Sequence, residues 1–108
     1  MTAFVQVIEY TTARQDEMDA FMVGWRERHP RMGPSRVTVC ADRAHAGTFL
    51  TIVEFTSYEE GMRNSQDPAT QEFAEMMRSL CDGPPVFHDL DVLHSEVRTE
   101  AGQRVPTA

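Results

Sequence analysis

The stretch from Thr48 to Ser65 reads TFLTIVEFTSYEEGMRNS and carries the strongest structural signal in the chain. Its first part, Thr48–Phe55, is the longest run of β-branched and aromatic residues, which predicts a central strand. Helical spacing begins immediately after this run. Ser57 is suited to cap a helix N-terminus, and Glu59 and Glu60 place carboxylates in a first turn, where the helix dipole favours them. We therefore predict a central strand that runs directly into a helix, which ends at about residue 64.

Two strands and a helix are predicted before this stretch. Residues 3–10 form the first strand, with apolar residues on both of its faces. A helix from about residue 14 to residue 29 follows and ends before Pro30, because the residue preceding a proline resists the helical conformation. Residues 35–42 form the second strand, and Gly47 supplies the positive φ of the hairpin that follows. The helix has a single apolar stripe, formed by Met18, Phe21, Met22 and Trp25.

A second helical segment and a last strand are predicted after it. Pro68 suits the first turn of a segment that extends to about Cys81, with a stripe formed by Phe73, Met76, Met77 and Leu80. Residues 86–93 form the fourth strand. The order β-α-β-β-α-β predicts an α+β, ferredoxin-like domain over residues 1–94, with a four-stranded antiparallel sheet and both helices on one face. Residues 95–108 are polar and without pattern, so we expect a flexible tail or an arm that orders against a partner.

Composition narrows the classes of partner. The chain has 108 residues, a length that argues for one domain. Its formal net charge of −7 argues against nucleic-acid or anionic-membrane partners. It contains no lysine, so a lysine Schiff base is excluded. There is no long apolar run and no leader-like N-terminus, from which we expect a cytoplasmic protein with no membrane contact.

The predicted sheet has an uncovered face. The helices can cover only one side, yet both sides of the first strands carry apolar residues. A second copy of the same sheet, packed face to face by two-fold symmetry, would cover the other side. We therefore predict a homodimer in which the two sheets form an α+β barrel.

The histidines and cysteines give no metal-site spacing. His88 and His94 share a strand face, but they lie about 20 Å apart along an extended chain, too far to bind one ion. We predict no metal site. His88 is either a general base, since imidazole titrates near neutral pH, or a solvated residue at the end of a strand. Cys40 and Cys81 fit two small buried residues.

Four further polar residues each have two interpretations. Glu54 lies inside the most apolar strand, so it is either paired with an arginine or a pocket base. Gln6, Tyr10 and Asn64 are the polar groups expected between sheet and helices. They could hold a phenolate or carbonyl oxygen of a ligand. Alternatively, Gln6 satisfies backbone groups at a strand edge and Asn64 ends its helix.

A motif runs from the predicted central strand through the two helical segments that follow it, at Glu54, Phe55, Ser57, Glu60, Asn64, Pro68 and Phe73. The sequence resembles the antibiotic-biosynthesis monooxygenase-type domain of the dimeric α+β barrel superfamily over about residues 3–94. The superfamily includes cofactor-free oxygenases, haem-degrading enzymes, polyketide cyclases and isomerases, so the resemblance implies the fold more than the chemistry.

Two departures from the family pattern limit what it implies. Phe55 stands where the family has tryptophan, and Asn64 stands where it usually has histidine. The positions used by haem-degrading members correspond to Gln6, Asn64 and Ala74. Ala74 offers no axial ligand, so we predict no haem and no other cofactor.

The predicted site is a pocket between sheet and helices for a small apolar or aromatic metabolite. By resemblance, the reaction is cofactor-independent monooxygenation of a phenol- or quinol-like compound. We expect Asn64 to be a catalytic residue and His88 or Glu54 to be the proton acceptor. The alternatives are a non-catalytic dimeric ligand-binding or accessory protein and a polyketide-cyclase-like enzyme. Which face of the central strand lines the pocket is left open. The anchors are Gln6 and Tyr10, and the walls are Phe4, Ile8, Met22, Trp25, Met62, Phe73 and Met77.

Overall fold

The computed structural model describes residues 3–31 and 33–107. Met1, Thr2, Met32 and Ala108, which fall in the predicted domain, the loop after the first helix and the tail, lie outside the described residues. The elements in chain order are β1 (Phe4–Thr11), α1 (Gln15–Arg28), β2 (Arg36–Ala41), β3 (Thr48–Phe55), α2 (Tyr58–Gln66), α3 (Pro68–Ser79), β4 (Val86–Asp91), β5 (Glu96–Arg98) and β6 (Arg104–Pro106).

The first four strands form one antiparallel sheet in the order β2-β3-β1-β4. Strands β1 and β3 are central, and the register pairs Phe4 with Phe55 and Gln6 with Asp89. This confirms the predicted α+β, ferredoxin-like arrangement. The bounds of β3 match the prediction, while the other elements differ from it by up to two residues at their ends, where helices and strands fray.

The hydrophobic core lies between one sheet face and the helices. The stripe of α1 was predicted correctly, since Met18, Met22 and Trp25 are buried and Phe21 packs against the core. The stripe of α3 was predicted too wide. Met77 and Leu80 are buried, whereas Met76 lies at the margin of the stripe and is 50% exposed.

Side-chain caps set the start of α2 and α3. Oγ of Ser57 accepts a hydrogen bond from the backbone N–H of Glu60 at 3.2 Å, as predicted. Asp67 ends α2, and its side chain accepts from the N–H of Ala69 at 2.9 Å, which caps α3. Pro68 then occupies the first turn of α3, where its missing N–H costs no helical hydrogen bond. The polar interruption between the two predicted segments is therefore a true boundary between helices.

The turn between β2 and β3 is built on Asp42 and Gly47. Gly47 has φ of 84°, the positive value that the sequence predicted. The Asp42 carboxylate accepts from the N–H of Ala44 at 2.8 Å and contacts Nδ1 of His45 at 3.2 Å. These hydrogen bonds, first that from Ala44 and then that from His45, hold the pKa of Asp42 below its usual value.

The second face of the sheet is apolar. Among the described residues no helix packs on this open face, and Val86 and Leu90 at its edge are 49% and 45% exposed. Strand alternation places six apolar side chains there: Val5, Val7, Leu50, Ile52, Val86 and Leu90.

The C-terminal residues form a small hairpin. Strand β5 pairs with β6, and Gly102 in the turn has φ of 86°. The sequence did not predict these strands, because three residues each are too few to show a period. That this segment acts as an arm against a partner stays a prediction.

No helix in the described part of the chain is long and apolar enough to cross a membrane.

Candidate functional site

A cavity of about 150 Å³ lies between the helix-facing side of the sheet and the helices. All three helices, the four main strands and the loop before β2 contribute to its wall. The lining residues are Gln6, Ile8, Met22, Trp25, Arg26, Gly33, Pro34, Val37, Thr51, Val53, Phe55, Asn64, Thr70, Phe73, Ala74, Met77 and Phe87.

The floor of the cavity comes from alternate residues of the two central strands. Gln6 and Ile8 line it from β1, while Thr51, Val53 and Phe55 line it from β3. In the sheet, Gln6 pairs with Val53 and Ile8 pairs with Thr51, so these side chains share one face. The odd-numbered residues of β3 therefore face the cavity.

Aromatic side chains from two helices form the opposite wall. The rings of Trp25 and Phe73 meet edge to face with centroids 5.0 Å apart, and Phe21 stacks on Phe73 at 5.1 Å. Met22 and Met77 are buried beside them. Aromatic pairs in these geometries are favourable beyond their burial. The wall is thus an apolar surface built from packed aromatic rings and methionine side chains.

The neutral polar groups of the lining are few, and those described below are amides and hydroxyls. Nε2 of Gln6 donates to Oδ1 of Asp89 at 2.8 Å, and Oγ1 of Thr51 lies 3.4 Å from the hydroxyl of Tyr10. Oγ1 of Thr70 is buried and has no hydrogen-bond partner in residues 3–31 and 33–107. Asn64 is half-buried and contributes an amide.

Arg26 is the single charged residue of the lining. It is exposed, which places it where the cavity meets solvent. Within the described chain it forms no ion pair with a carboxylate. Its positive charge is therefore available to an anion in the cavity.

Seven of the predicted site residues meet in this cavity, namely Gln6, Ile8, Met22, Trp25, Asn64, Phe73 and Met77. Three others belong to the core beside it. Phe4 packs with Val53 and Phe55, and Met62 lies against that cluster. Tyr10 is 2% exposed and stacks on Phe49 in a second cluster.

The two predicted proton acceptors lie on the open face, across the sheet from the cavity. His88 pairs with Val7, and Glu54 pairs with Val5. Val5 and Val7 alternate along β1 with residues that face the helices, so the side chains of His88 and Glu54 lie on the opposite face of the sheet. Glu54 was expected to be either paired with an arginine or a pocket base. The structure shows the pairing, because Oε2 of Glu54 lies 3.6 Å from Nε of Arg36. Neither side chain lines the cavity.

The sequence analysis did not single out ten of the lining residues as part of the site. Thr51, Val53 and Phe55 could have been found from the strand pairing, had the register with Gln6 been known. Gly33 and Pro34 lie in an irregular loop that gives no periodic signal. The remaining five are Arg26, Val37, Thr70, Ala74 and Phe87.

The lining has no acid or base of its own among the described residues. It contains no histidine, aspartate, glutamate or cysteine. In the described part of the chain, no three such side chains cluster in a way that could hold a metal ion. The arrangement can enclose an aromatic ring, offer amide and hydroxyl hydrogen bonds, and place one cation near it.

Comparison with known proteins gave structural matches only. No protein-family model matches the sequence, and no curated protein matches it. Among solved structures, SnoaB, a cofactor-independent oxygenase from Streptomyces nogalater, is 15% identical with a TM-score of 0.73, covering 88% of this chain and 97% of that chain. A candidate antibiotic biosynthesis monooxygenase from Bordetella bronchiseptica is 14% identical with a TM-score of 0.71, covering 86% of this chain and 99% of that chain.

A third structure, a conserved protein from Methanosarcina mazei Go1, is 12% identical with a TM-score of 0.65, covering 83% of this chain and 92% of that chain. At these identities a structural match establishes the fold and leaves the activity open. The chain has the ferredoxin-like fold found in SnoaB and in a structure named as an antibiotic biosynthesis monooxygenase.

Proposed function

We propose that this protein binds an electron-rich phenol- or quinol-like aromatic in the cavity between sheet and helices and catalyses its cofactor-independent oxygenation. The observation that carries the proposal is the lining itself. Its aromatic and aliphatic walls enclose about 150 Å³, a volume comparable to cavities that hold a single benzene ring. The similarity in fold to a cofactor-independent oxygenase supports the choice of reaction.

The walls would orient the substrate ring. Trp25 and Phe73 offer an edge-to-face surface on one side, and Ile8 and Val53 offer the sheet on the other. A ring held between them loses water from both faces. In such a site, electrostatic interactions with the ring's oxygen are stronger than in water.

Arg26 and Asn64 would favour the anion of the substrate. A cation near a phenol lowers the pKa of its hydroxyl, because it stabilises the ionised form. The Asn64 amide can donate a hydrogen bond to the same oxygen. A phenolate is the form that reacts with O₂, since its oxygen lone pairs raise the electron density of the ring.

The reaction balances without a reductant. The ring carbon of the phenolate bonds to one oxygen atom of O₂, which gives a peroxide. The O–O bond then breaks, the carbon loses its hydrogen, and its C–O bond becomes a carbonyl. The hydrogens from the hydroxyl and the ring carbon leave with the second oxygen atom as water, so a phenol becomes a quinone.

The proton acceptor is water at the cavity mouth. No carboxylate or imidazole lines the cavity in the described residues, so the hydroxyl proton has no side-chain base to receive it. This restricts the substrate to phenols that Arg26 can ionise near neutral pH. The same observation favours a second candidate function, a non-catalytic protein that binds the aromatic ligand and releases it unchanged.

We also propose that two copies of the chain pack through their open sheet faces. The apolar side chains on this face include Val7 and Ile52 from the two central strands. Exposed apolar surface of this extent on a sheet is typical of an interface between proteins. The hairpin of β5 and β6 would then act as an arm that reaches the partner subunit.

Oxygen consumption tests the function directly. The purified protein is incubated with a panel of phenols, naphthols and hydroquinones in an oxygen electrode, and products are identified by mass spectrometry with ¹⁸O₂. Uptake of O₂ with one labelled oxygen atom in the product supports the proposal. Binding is followed in parallel by the fluorescence of Trp25, the single tryptophan, which lines the cavity.

Three other outcomes have distinct meanings. Quenching of Trp25 without O₂ uptake would select the binding protein. Product formation that continues without oxygen would select a cyclase-like activity. The absence of both binding and uptake across the panel would refute the proposed ligand class.

A further inference from the structure

The amide of Gln6 is tied to a carboxylate at the edge of the cavity. Its Nε2 donates to Oδ1 of Asp89 on the edge strand β4 at 2.8 Å. The two residues are direct cross-strand partners, so their side chains share the face that lines the cavity. Phe87 on the same face of β4 also lines it. Asp89 therefore contacts Gln6, which lines the cavity, but does not line the cavity itself.

This contact fixes which end of the amide faces Asp89. An ionised carboxylate only accepts hydrogen bonds, so Asp89 can face the NH₂ group of Gln6 and cannot face its carbonyl oxygen. Oε1 of Gln6 must then point away from Asp89. Among residues 3–31 and 33–107 no group donates to Oε1. Oε1 is thus an unpaired hydrogen-bond acceptor on a residue that lines the cavity.

We propose that Asp89 is a positioning residue that holds Gln6 as an acceptor for a hydroxyl group of the ligand. The inference deepens the proposed function and rests on it. A phenolate oxygen has no hydrogen to donate, so the hydroxyl at Gln6 is not the one that ionises near Arg26. The ligand class is therefore a dihydroxylated aromatic, with one hydroxyl retained at Gln6 and a second that becomes the anion.

Packing alone does not explain the pair. Asp89 is exposed, and its hydrogen bond with Gln6 is exposed as well. Hydrogen bonds to a charged acceptor at such a site contribute little to folding once water competes for both groups. What the contact changes is the orientation of the amide. Substituting Asp89 should leave the fold intact and alter ligand selection.

The test uses three probes that differ at one group: hydroquinone, para-methoxyphenol and para-fluorophenol. Binding is measured without oxygen through Trp25 fluorescence. The methoxy and fluoro groups cannot donate a hydrogen bond, and one is larger and the other smaller than a hydroxyl, which separates size from hydrogen bonding. We expect the wild type to bind hydroquinone about five- to tenfold more tightly than either comparator.

The variants are Asp89→Ala and Asp89→Asn, with Asp91→Asn as the matched control. Alanine frees the Gln6 amide, and an asparagine can pair with either end of it. Both should bring the ratio of dissociation constants to within about twofold of unity. Asp91 lies on the same face of β4, pairs with Phe4 and makes no side-chain hydrogen bond with Gln6, so its variant should keep the wild-type ratio.

Some results would overturn the inference and others would concern the reaction only. An unchanged ratio in Asp89→Ala, or an equal weakening of all three probes, would refute the positioning role even if oxygen uptake persists. A wild-type preference that Asp89→Ala abolishes, with no oxygen uptake by either protein, would support the positioning role and remove the oxygenase. If the wild type binds none of the three probes, both proposals fail together.

Discussion

The ring of Phe4 lies directly against the backbone of Gly61. A Cβ atom at position 61 would stand 2.7 Å from Cδ2 and 2.9 Å from Cε2 of that ring. Phe4 begins β1 and is 2% exposed, while Gly61 is a buried position in α2. The absence of a side chain at this position is what allows α2 to pack closely on the sheet beside the cavity.

Replacing Gly61 with alanine should therefore destabilise the protein. The added methyl group would push the Phe4 ring, which is 2% exposed, and overpacking of this kind costs about 1–3 kcal/mol. The better helix propensity of alanine returns about 1 kcal/mol. Urea unfolding should show a net loss of up to about 2 kcal/mol in the free energy of unfolding.

Gly24 provides the matched control. A Cβ atom at position 24 would meet the end of the flexible Arg28 side chain at 3.3 Å, which can move aside. Gly24→Ala should thus gain about 0.5–1 kcal/mol from helix propensity. If both alanine variants change stability by the same amount and sign, the Phe4 contact is not the cause.

Asn64 tests the part of the site that stabilises the anion. Replacing it with alanine removes an amide donor from the cavity wall, and the loss of one such donor lowers kcat by about 10²–10³-fold in enzymes that depend on it. The measurement is the rate of oxygen uptake at saturating substrate. Ser65→Ala is the control, because Ser65 is the next residue of α2, is exposed, and does not line the cavity. Equal rates in the wild type and Asn64→Ala would remove Asn64 from the reaction.

Arg26 should control the affinity for anionic ligands. We expect Arg26→Gln to weaken the binding of a substituted phenolate about three- to tenfold, with less effect on the corresponding neutral methyl ether, because only the anion gains from the positive charge. Titrations of Trp25 fluorescence at low and high salt would measure this. Arg28→Gln removes a charge from the same helix outside the lining and should leave both affinities unchanged.

The turn at Asp42 predicts a pH dependence of stability. Its pKa is lowered in the folded protein, so the ionised carboxylate is favoured by folding. That contribution is present above the pKa of the unfolded chain and is lost as pH falls through the lower pKa of the folded state. The difference in stability between the wild type and Asp42→Asn should thus be larger at about pH 6 than at about pH 2. A difference that stays constant across this range in urea unfolding would contradict the assignment.

The open sheet face predicts a dimer that a single charge can break. Ile52→Arg places a cation at the centre of this face and should convert the dimer seen by native mass spectrometry into a monomer. Val23→Arg is the control, since Val23 is a 48% exposed valine on α1, away from the sheet. A wild-type protein that is already monomeric at micromolar concentration would refute the proposed interface.

Local sequence signals predicted the elements of this protein well. The β-branched run of β3, the Ser57 cap and Pro68 each act through neighbours in the chain, so their consequences can be read without knowing the fold. The alternation of the strands also predicted a sheet with two apolar faces. The C-terminal hairpin was missed because its strands are too short to carry a pattern.

Which residues face the cavity depended on the sheet register, which local patterns leave open. One step along a strand moves a side chain to the other face, so Glu54 and Val53 differ completely in environment although they are neighbours. For the same reason, His88 lies on the open face, while its neighbour Asp89 contacts Gln6 on the face that lines the cavity. Long-range pairing also brings Arg26, Thr70 and Gln6 to one cavity from three different elements. The sequence determines the elements through local chemistry, and the tertiary packing determines the site, because a cavity is formed by residues that are distant along the chain.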